Sequence, residues 1–263
     1  MKTALLIAIY NRKDALSLIF ESLIRQTRLP DEILIADDGS RDDTKEVIDQ
    51  FRKEISIPVK HVWQEDNGFR KASSLNKTIA QTNVDYIIQI DGDCVPGKHF
   101  IEDHISNASS GLYLFGARVN TLPGHVDDVL RKRQIDFNPF SKGIKNRTRT
   151  MRSKILALLY KPRNTISGKL RGCNMSFWRQ DFMAINGYNA DIEGWGREDS
   201  EMIIRLHNNN LKGKRLRYCG VLVHLYHKGV PRINLENNDR IEKMTKLKKV
   251  IRCENGINKH IVK

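Results

Sequence analysis

An alternation of short apolar runs and amphipathic stretches over residues 3–93 constrains the fold of this chain more than any other feature. Residues 3–9, Thr-Ala-Leu-Leu-Ile-Ala-Ile, have almost no polar position, the pattern of a strand buried on both faces of a parallel sheet. Residues 14–26 then place Leu16, Ile19, Phe20, Leu23 and Ile24 at helical spacing. Pro30 breaks the chain before a second apolar run over 32–36, which stops at Asp37-Asp38-Gly39-Ser40. A helix over 42–53, a strand over 59–63, a helix over 72–81 and a strand over 85–90 continue the series as far as Asp91-Gly92-Asp93. Such a series predicts an α/β fold, a mostly parallel central sheet with right-handed crossovers and flanking helices.

In sheets of this kind ligands bind beyond the carboxyl ends of the strands. Tyr10-Asn11-Arg12, Asp37-Asp38, residues 64–68 and Asp91-Gly92-Asp93 each follow a predicted strand, so they are expected to converge on one crevice. None carries GxGxxG or a Walker A sequence, which excludes the ordinary dinucleotide and P-loop modes of phosphate binding. The second half is less regular. It predicts a strand over 112–119, a basic stretch over 126–171 with an apolar segment at 155–160, a helix over 199–208 and a strand over 216–226.

Composition narrows the class. With 263 residues, 40% of them hydrophobic, the chain is long enough for a full core. No apolar run approaches the roughly 20 residues that span a bilayer, and no signal-peptide pattern precedes Asn11-Arg12-Lys13-Asp14, so the expected location is the cytoplasm. Cys94, Cys173, Cys219 and Cys253 form no CxxC pair and are expected to be buried free thiols. The net charge of +14 is uneven: residues 127–171 hold 13 Lys and Arg against 3 Asp, and residues 240–263 hold 8 against 2 Glu. Charge of that kind favours phosphates, acidic lipids or nucleic acid. Nucleic acid is the least expected, since only Phe137, Phe140 and Tyr160 offer stacking surfaces among the basic residues. The basic residues around 155–160 suit a helix lying on an anionic membrane surface, or an ordinary amphipathic helix with a solvated charged face.

Three constellations carry candidate chemistry. Asp91 and Asp93, separated by glycine at a strand end, offer hard oxygen ligands for Mg²⁺ or Mn²⁺, although the tripeptide alone also fits a solvated turn. Gly194-Trp195-Gly196-Arg197-Glu198-Asp199 sets paired carboxylates beside an aromatic ring in a glycine-rich loop, suited to a general base and a sugar-stacking surface. The same carboxylates also suit the start of a helix, where its dipole favours them. His224 and His227 are either packed strand histidines or further metal ligands, and spacing alone does not choose.

Taken together, Ala8-Ile9-Tyr10-Asn11-Arg12, Ala36-Asp37-Asp38-Gly39-Ser40, Asp66-Asn67-Gly68-Phe69-Arg70 and Gln89-Ile90-Asp91-Gly92-Asp93 resemble family 2 glycosyltransferases of the GT-A fold. Arg171-Gly172-Cys173-Asn174-Met175 and the Gly194–Asp199 segment resemble the C-terminal part of β-1,4-galactosyltransferases and chondroitin-polymerase-type enzymes, so that the likeness covers residues 3–230. The order of the motifs is more specific than any one of them. The resemblance implies a nucleotide-sugar donor, a UDP-sugar, contacted by Tyr10, Arg12, Asp37 or Asp38, Arg70 and Asp91. It implies Mn²⁺ or Mg²⁺ held by Asp93, with Asp91 facing ribose and metal and with His224, five residues after Cys219, preferred over His227. It makes Asp199 the base of an inverting transfer, with Glu198 and Trp195 at the acceptor. Arg197 departs from the pattern, standing where the galactosyltransferase-like motif has glycine, and is expected to put a cation beside the acceptor carboxylates. The implied acceptor is a saccharide or lipid-linked saccharide of bacterial surface polysaccharide, met peripherally at the cytoplasmic membrane. The implied organisation is a nucleotide-sugar half over 1–120, an acceptor and catalytic half over 121–230, and a basic tail over 231–263.

Overall fold

The structure, a computed structural model, describes residues 1–261. The first half runs β1 (Thr3–Ile9), α1 (Lys13–Ile24), β2 (Glu32–Asp37), α2 (Asp42–Glu54), β3 (Val59–Trp63), α3 (Lys71–Ile79), β4 (Tyr86–Asp91), β5 (Cys94–Pro96), α4 (Phe100–Asn107) and β6 (Leu112–Gly116). It continues through β7 (Val119–Thr121), α5 (Val126–Arg131), β8 (Ile144–Lys145), the single turn α6 (Lys154–Ala157), β9 (Asn174–Trp178), α7 (Arg179–Ala184), α8 (Glu198–Asn208), β10 (Lys212–Leu216), β11 (Leu222–His224) and α9 (Leu235–Leu247).

Seven strands form the main sheet in the order β10-β6-β9-β4-β1-β2-β3. All neighbours are parallel except β9, which runs antiparallel between β4 and β6. The continuous apolar run of β1 is explained by burial on both sides: Leu5, Ile7 and Ile9 join one core with Leu16, Ile19, Ile48 and Phe51 of α1 and α2. Ala4 and Leu6 join the opposite core with Leu75, Ile79, Phe182 and Ile203 of α3, α7 and α8. Each such side chain contributes about 1.5–3 kcal/mol by leaving water. Phe20 and Phe51 stack at 3.8 Å between ring centroids and join α1 to α2. The four cysteines are free and buried, as expected.

A smaller sheet, β5-β11-β7-β8, stands on the main one. It accounts for two departures from expectation. The predicted strand over 112–119 is two strands, β6 in the main sheet and β7 in the smaller one. Asn174 causes the break, because its side-chain amide donates to the Ala117 carbonyl at 2.9 Å and occupies the space where a side chain at residue 116 would stand. The predicted strand over 216–226 is likewise the end of β10 and the separate β11, joined by a turn in which Tyr218 and Gly220 have φ of 62° and 58°. Strand β9 was not anticipated as a strand at all.

The C-terminal residues form helix α9, which packs along α8. Inside this contact the buried Arg205 guanidinium pairs with Glu201 at 2.7 Å and donates to the carbonyls of Ile185 and Gly187 at 2.7 Å. Thr245 of α9 donates to the same Glu201 carboxylate at 2.9 Å. A buried pair of this kind is tolerated because its hydrogen-bonding capacity is filled.

Candidate active site

The strand-end clusters meet, and each meets its neighbour through named contacts. Beyond β1, the Tyr10 hydroxyl donates to Asp66 at 2.8 Å, and the half-exposed ring stands at the rim. Beyond β2, Asp37 accepts the Ser40 N–H and faces the His61 ring, both at 2.8 Å, so this carboxylate is occupied in shaping the turn. Asp38 accepts from Gln64 at 2.6 Å and from the Arg70 N–H at 2.7 Å, joining the β2 turn to the loop before α3. Burial raises the Asp38 pKa, and those two hydrogen bonds oppose the rise. The Arg70 guanidinium folds back on the Glu65 carbonyl at 2.5 Å, while its Nε is buried without a hydrogen-bond partner. Arg12 follows the left-handed Asn11 and lies near enough to His227 to act on its charge.

At the end of β4 the backbone turns directly across the end of β1, with the Gly92 N–H donating to the Ala8 carbonyl at 2.7 Å. A Cβ on Gly92 would overlap the Ile9 side chain and lie 2.9 Å from that carbonyl, which is why glycine separates the two aspartates. The two carboxylates consequently part. Asp93 enters the smaller sheet, where Cys94 stands opposite His224 and the Leu225 N–H donates to the Asp93 carbonyl at 2.8 Å. Its carboxylate lies 3.5 Å from Nε2 of His224 and 3.1 Å from Nε2 of His227, and one ligand atom from each residue lies within 4.8 Å of the others. One carboxylate and two imidazoles in a half-buried cluster fit Mn²⁺, with coordination positions left for a diphosphate, and fit Mg²⁺ less well because of the nitrogen ligands. Both histidines are brought to Asp93, including His227, to which His224 had been preferred. Burial disfavours a charged Asp93, but its hydrogen bonds to the two histidines hold its pKa well below the usual range, and the same contact raises that of His227.

Asp91 lies outside this trio. Its Oδ1 receives the Lys71 ammonium at 2.7 Å, and Lys71 also approaches Glu198 at 3.3 Å. Burial alone would lower the Lys71 pKa; Asp91 and Glu198 reverse that and hold it well above the ordinary value. Glu198 is raised by burial and by neighbouring Asp199, against the pull of Lys71. Sequence reasoning missed Lys71. The available signal was a cation one turn before the buried Leu75, on the apolar side of α3.

Asp199, in the first turn of α8, accepts the Gly172 N–H at 2.6 Å and the Ser200 N–H at 2.7 Å, one on each oxygen. The Gly194–Arg197 loop reaches this position through the Gly194 N–H, which donates to the Phe69 carbonyl at 2.9 Å. Trp195 is 40% exposed and carries the Arg232 guanidinium 4.7 Å from its ring centre. Arg197, expected to put a cation beside the acceptor carboxylates, pairs its guanidinium with Asp239 at 2.5 Å and Glu242 at 3.6 Å on α9, and the charge of Asp199 also acts on it. Its backbone has φ of 80°, a left-handed conformation that disfavours residues with a Cβ by about 1–2 kcal/mol. That is the physical reason for glycine in the related motif. A cavity of about 340 Å³ lined by Phe20, Val47, Phe51 and Arg133 shares no residue with this cluster.

Known proteins resemble this chain in sequence and fold. The model of glycosyl transferase family 2 matches residues 4–175, and that of the N-terminal domain of galactosyltransferase matches residues 157–228. The chain belongs to glycosyl transferase family 2, whose members are GT-A enzymes with the mainly parallel, helix-flanked sheet described above. It is similar to validoxylamine A glucosyltransferase of Streptomyces hygroscopicus subsp. limoneus, 25% identical over 224 residues, covering 79% of this chain and 48% of that one. It is also similar to chondroitin synthase of Escherichia coli, 21% identical over 223 residues, covering 78% and 32%. The chain thus spans half or less of the length of these two relatives. Among solved structures, that of GalNAc-T7 with UDP, GalNAc and Mn²⁺ superposes with a TM-score of 0.65 at 16% identity, over 94% of this chain and 49% of that one.

Two measurements check the site. Since both imidazoles must be neutral to bind metal and Asp93 holds His227 above its ordinary pKa, Mn²⁺ affinity in calorimetric titrations falls with falling pH, by up to about tenfold per unit for each proton displaced. Asp93→Ala abolishes Mn²⁺ binding. Lys71→Met leaves Asp91 and Glu198 without their cation and destabilises the fold by about 3–5 kcal/mol near neutral pH in denaturant titrations. With its folded-state pKa raised above the unfolded value, Glu198 favours the fold only when protonated, so the Lys71→Met deficit shrinks as pH falls through the Glu198 range.

Proposed function

We propose that the protein is an inverting, metal-dependent transferase that moves a sugar from a UDP-sugar to a saccharide or lipid-linked saccharide acceptor in bacterial surface polysaccharide synthesis. The observation that carries this reading is the continuity of the cluster: Asp93, His224 and His227 stand on one side, Asp199 on the other, and Asp91-Lys71-Glu198 spans the two. In this reading residues 1–120 serve the donor, 121–230 the acceptor and the chemistry, and 231–263 are the flanking basic tail, whose helix α9 braces the acceptor loop through Arg197.

Tyr10, Arg12 and Arg70 flank the nucleotide, and Asp38, tied to the backbone of Arg70, faces its base. Asp37 shapes the turn that presents them. Asp93, His224 and His227 would hold a divalent ion, which would supply positive charge to a departing diphosphate. Asp199 is oriented by two backbone N–H groups, and each of its oxygens keeps a lone pair for an acceptor hydroxyl. It takes that proton as the hydroxyl oxygen attacks the anomeric carbon and the bond to the diphosphate breaks, which inverts the configuration without a covalent intermediate. Glu198, its charge balanced by Lys71, and Trp195 position the acceptor sugar. The Mn²⁺ and UDP of the GalNAc-T7 structure and the polysaccharide synthase among the relatives support this choice of donor, metal and pathway.

Peripheral attachment to an anionic membrane belongs to the same reading. Ile155, Leu158 and Leu159 at α6 are 79%, 67% and 73% exposed, with Lys154, Lys161 and Arg163 beside them. Among the described residues no helix is long and apolar enough to cross a membrane.

Asp199→Asn lowers transfer by about 10² to 10⁴ in a radiolabelled UDP-sugar assay while UDP·Mn²⁺ affinity is retained; wild-type turnover in this variant would sink the assignment. Flotation with vesicles containing anionic lipid carries the protein upward, neutral vesicles do not, and Leu158→Asp with Leu159→Asp removes the effect; flotation unaltered by lipid charge or by these changes would refute attachment.

A further inference from the structure

Several arginines in this fold meet a carboxylate: Arg152 pairs with Asp103, Arg197 with Asp239 and Arg205 with Glu201. Five that lie together do not. Arg118, Arg149, Arg171, Arg215 and Arg217 form no ion pair among the described residues. Their proximity is fixed by the backbone and neutral groups. Arg149 donates to the Arg118 carbonyl at 2.7 Å, and Arg217 donates to the carbonyl and hydroxyl of Thr148 at 2.9 and 3.1 Å. The Arg118 guanidinium reaches the Cys173 sulfur at 3.9 Å, two residues from Arg171. Arg215 lies 5.8 Å from the ring centre of Tyr160, and its Nε is buried without a hydrogen-bond partner. The Arg149 pKa is lowered, first by burial and then by the charges of Arg215, Arg217, Arg171 and Arg118, although a guanidinium stays protonated.

A fold that holds five like charges side by side, four of them half-buried, has left room for a counter-charge. The position says which substrate supplies it. Arg171 precedes Gly172, whose N–H orients Asp199, so the cluster adjoins the proposed base; Arg118, which leads into β7 beside His224 and feels the charge of Asp93, marks its border with the metal-ligand cluster. The nucleotide-side residues Tyr10, Asp38 and Arg70 belong instead to the turns after β1 and β2 and before α3. Planar guanidiniums match the paired oxygens of a phosphate.

We propose that this arginine cradle is a phosphate-binding subsite for the acceptor, so that the acceptor is a saccharide carrying a phosphate ester near the hydroxyl presented to Asp199. The inference rests on the transferase reading above and adds the acceptor's chemical class to it.

The test uses the whole chain saturated with UDP and Mn²⁺, which fills the donor side, and titrates inorganic phosphate at constant ionic strength by calorimetry. Phosphate binds to the saturated protein, and Arg215→Gln with Arg217→Gln weakens it by about tenfold or more, on the scale of hydrogen bonds to a charged group, while UDP affinity stays within about twofold. Arg149→Gln alone gives a smaller loss in the same direction and serves if the double variant does not fold. Phosphate that competes with UDP assigns the cradle to the donor diphosphate and overturns the proposal. So does the absence of phosphate binding, or binding that the variants leave unaltered. If UDP binds with metal and phosphate fails, only the subsite falls; if UDP itself does not bind, the transferase reading falls and the subsite with it.

Discussion

Four carboxylates crowd the ground between the end of β4 and the start of α8, and the ammonium of Lys71 is the cation that lets two of them share it. Asp91 and Glu198 come from opposite sides of that gap, one from the strand that leads to the metal-ligand cluster and one from the helix that carries the proposed base. Without that charge between them, burial would push Glu198 further toward its neutral form. The ion pair therefore sets the spacing on which the rest of the site depends. Glu198 begins α8 and fixes where Asp199 falls, while Asp91 is held away from Asp93, leaving that residue to the two histidines.

Much of this was legible in the chain and some was not, for identifiable reasons. The β-α alternation was readable because β1, β2 and β4 are buried on both faces, so their composition follows burial directly. Convergence of the polar turns followed from the direction of a parallel sheet. The second half broke the rule: β6 and β7 form one apolar stretch in sequence, and only Asn174, more than fifty residues away, divides it between two sheets. Strand β9 escaped notice because a short antiparallel insertion carries no local sign of its partners. Lys71 escaped because a buried cation is intelligible only once the acids facing it are known. Arg197 was noticed but its partners Asp239 and Glu242 were not, since they lie in a helix that had been treated as a tail.

That helix gives the C-terminal region a definite physical part. The amide of Asn238 donates to the carbonyls of Glu193 and Gly196 at 2.9 and 3.0 Å, on either side of Trp195, and Arg232 lies over the indole. The Arg197 side chain, which leaves a left-handed backbone, ends on the carboxylates of α9. The position of Trp195 is thus set by residues forty places further along the chain, and the glycines around it provide the freedom for the loop to be drawn into that place.

The antiparallel strand β9 has a mechanical consequence. It is laced between β4 and β6, and Asn174 at its head clasps the Ala117 and Gly220 carbonyls, where the neighbouring strands leave the main sheet. The strand leading to Asp93 and the strand that follows the Gly172 contact with Asp199 are therefore hydrogen-bonded neighbours in one continuous sheet. A molecule built in this way resembles a jig rather than a clamp: in the proposed reaction the spacing between metal cluster and base is already cut, and the fit to an acceptor falls to the loop around Trp195.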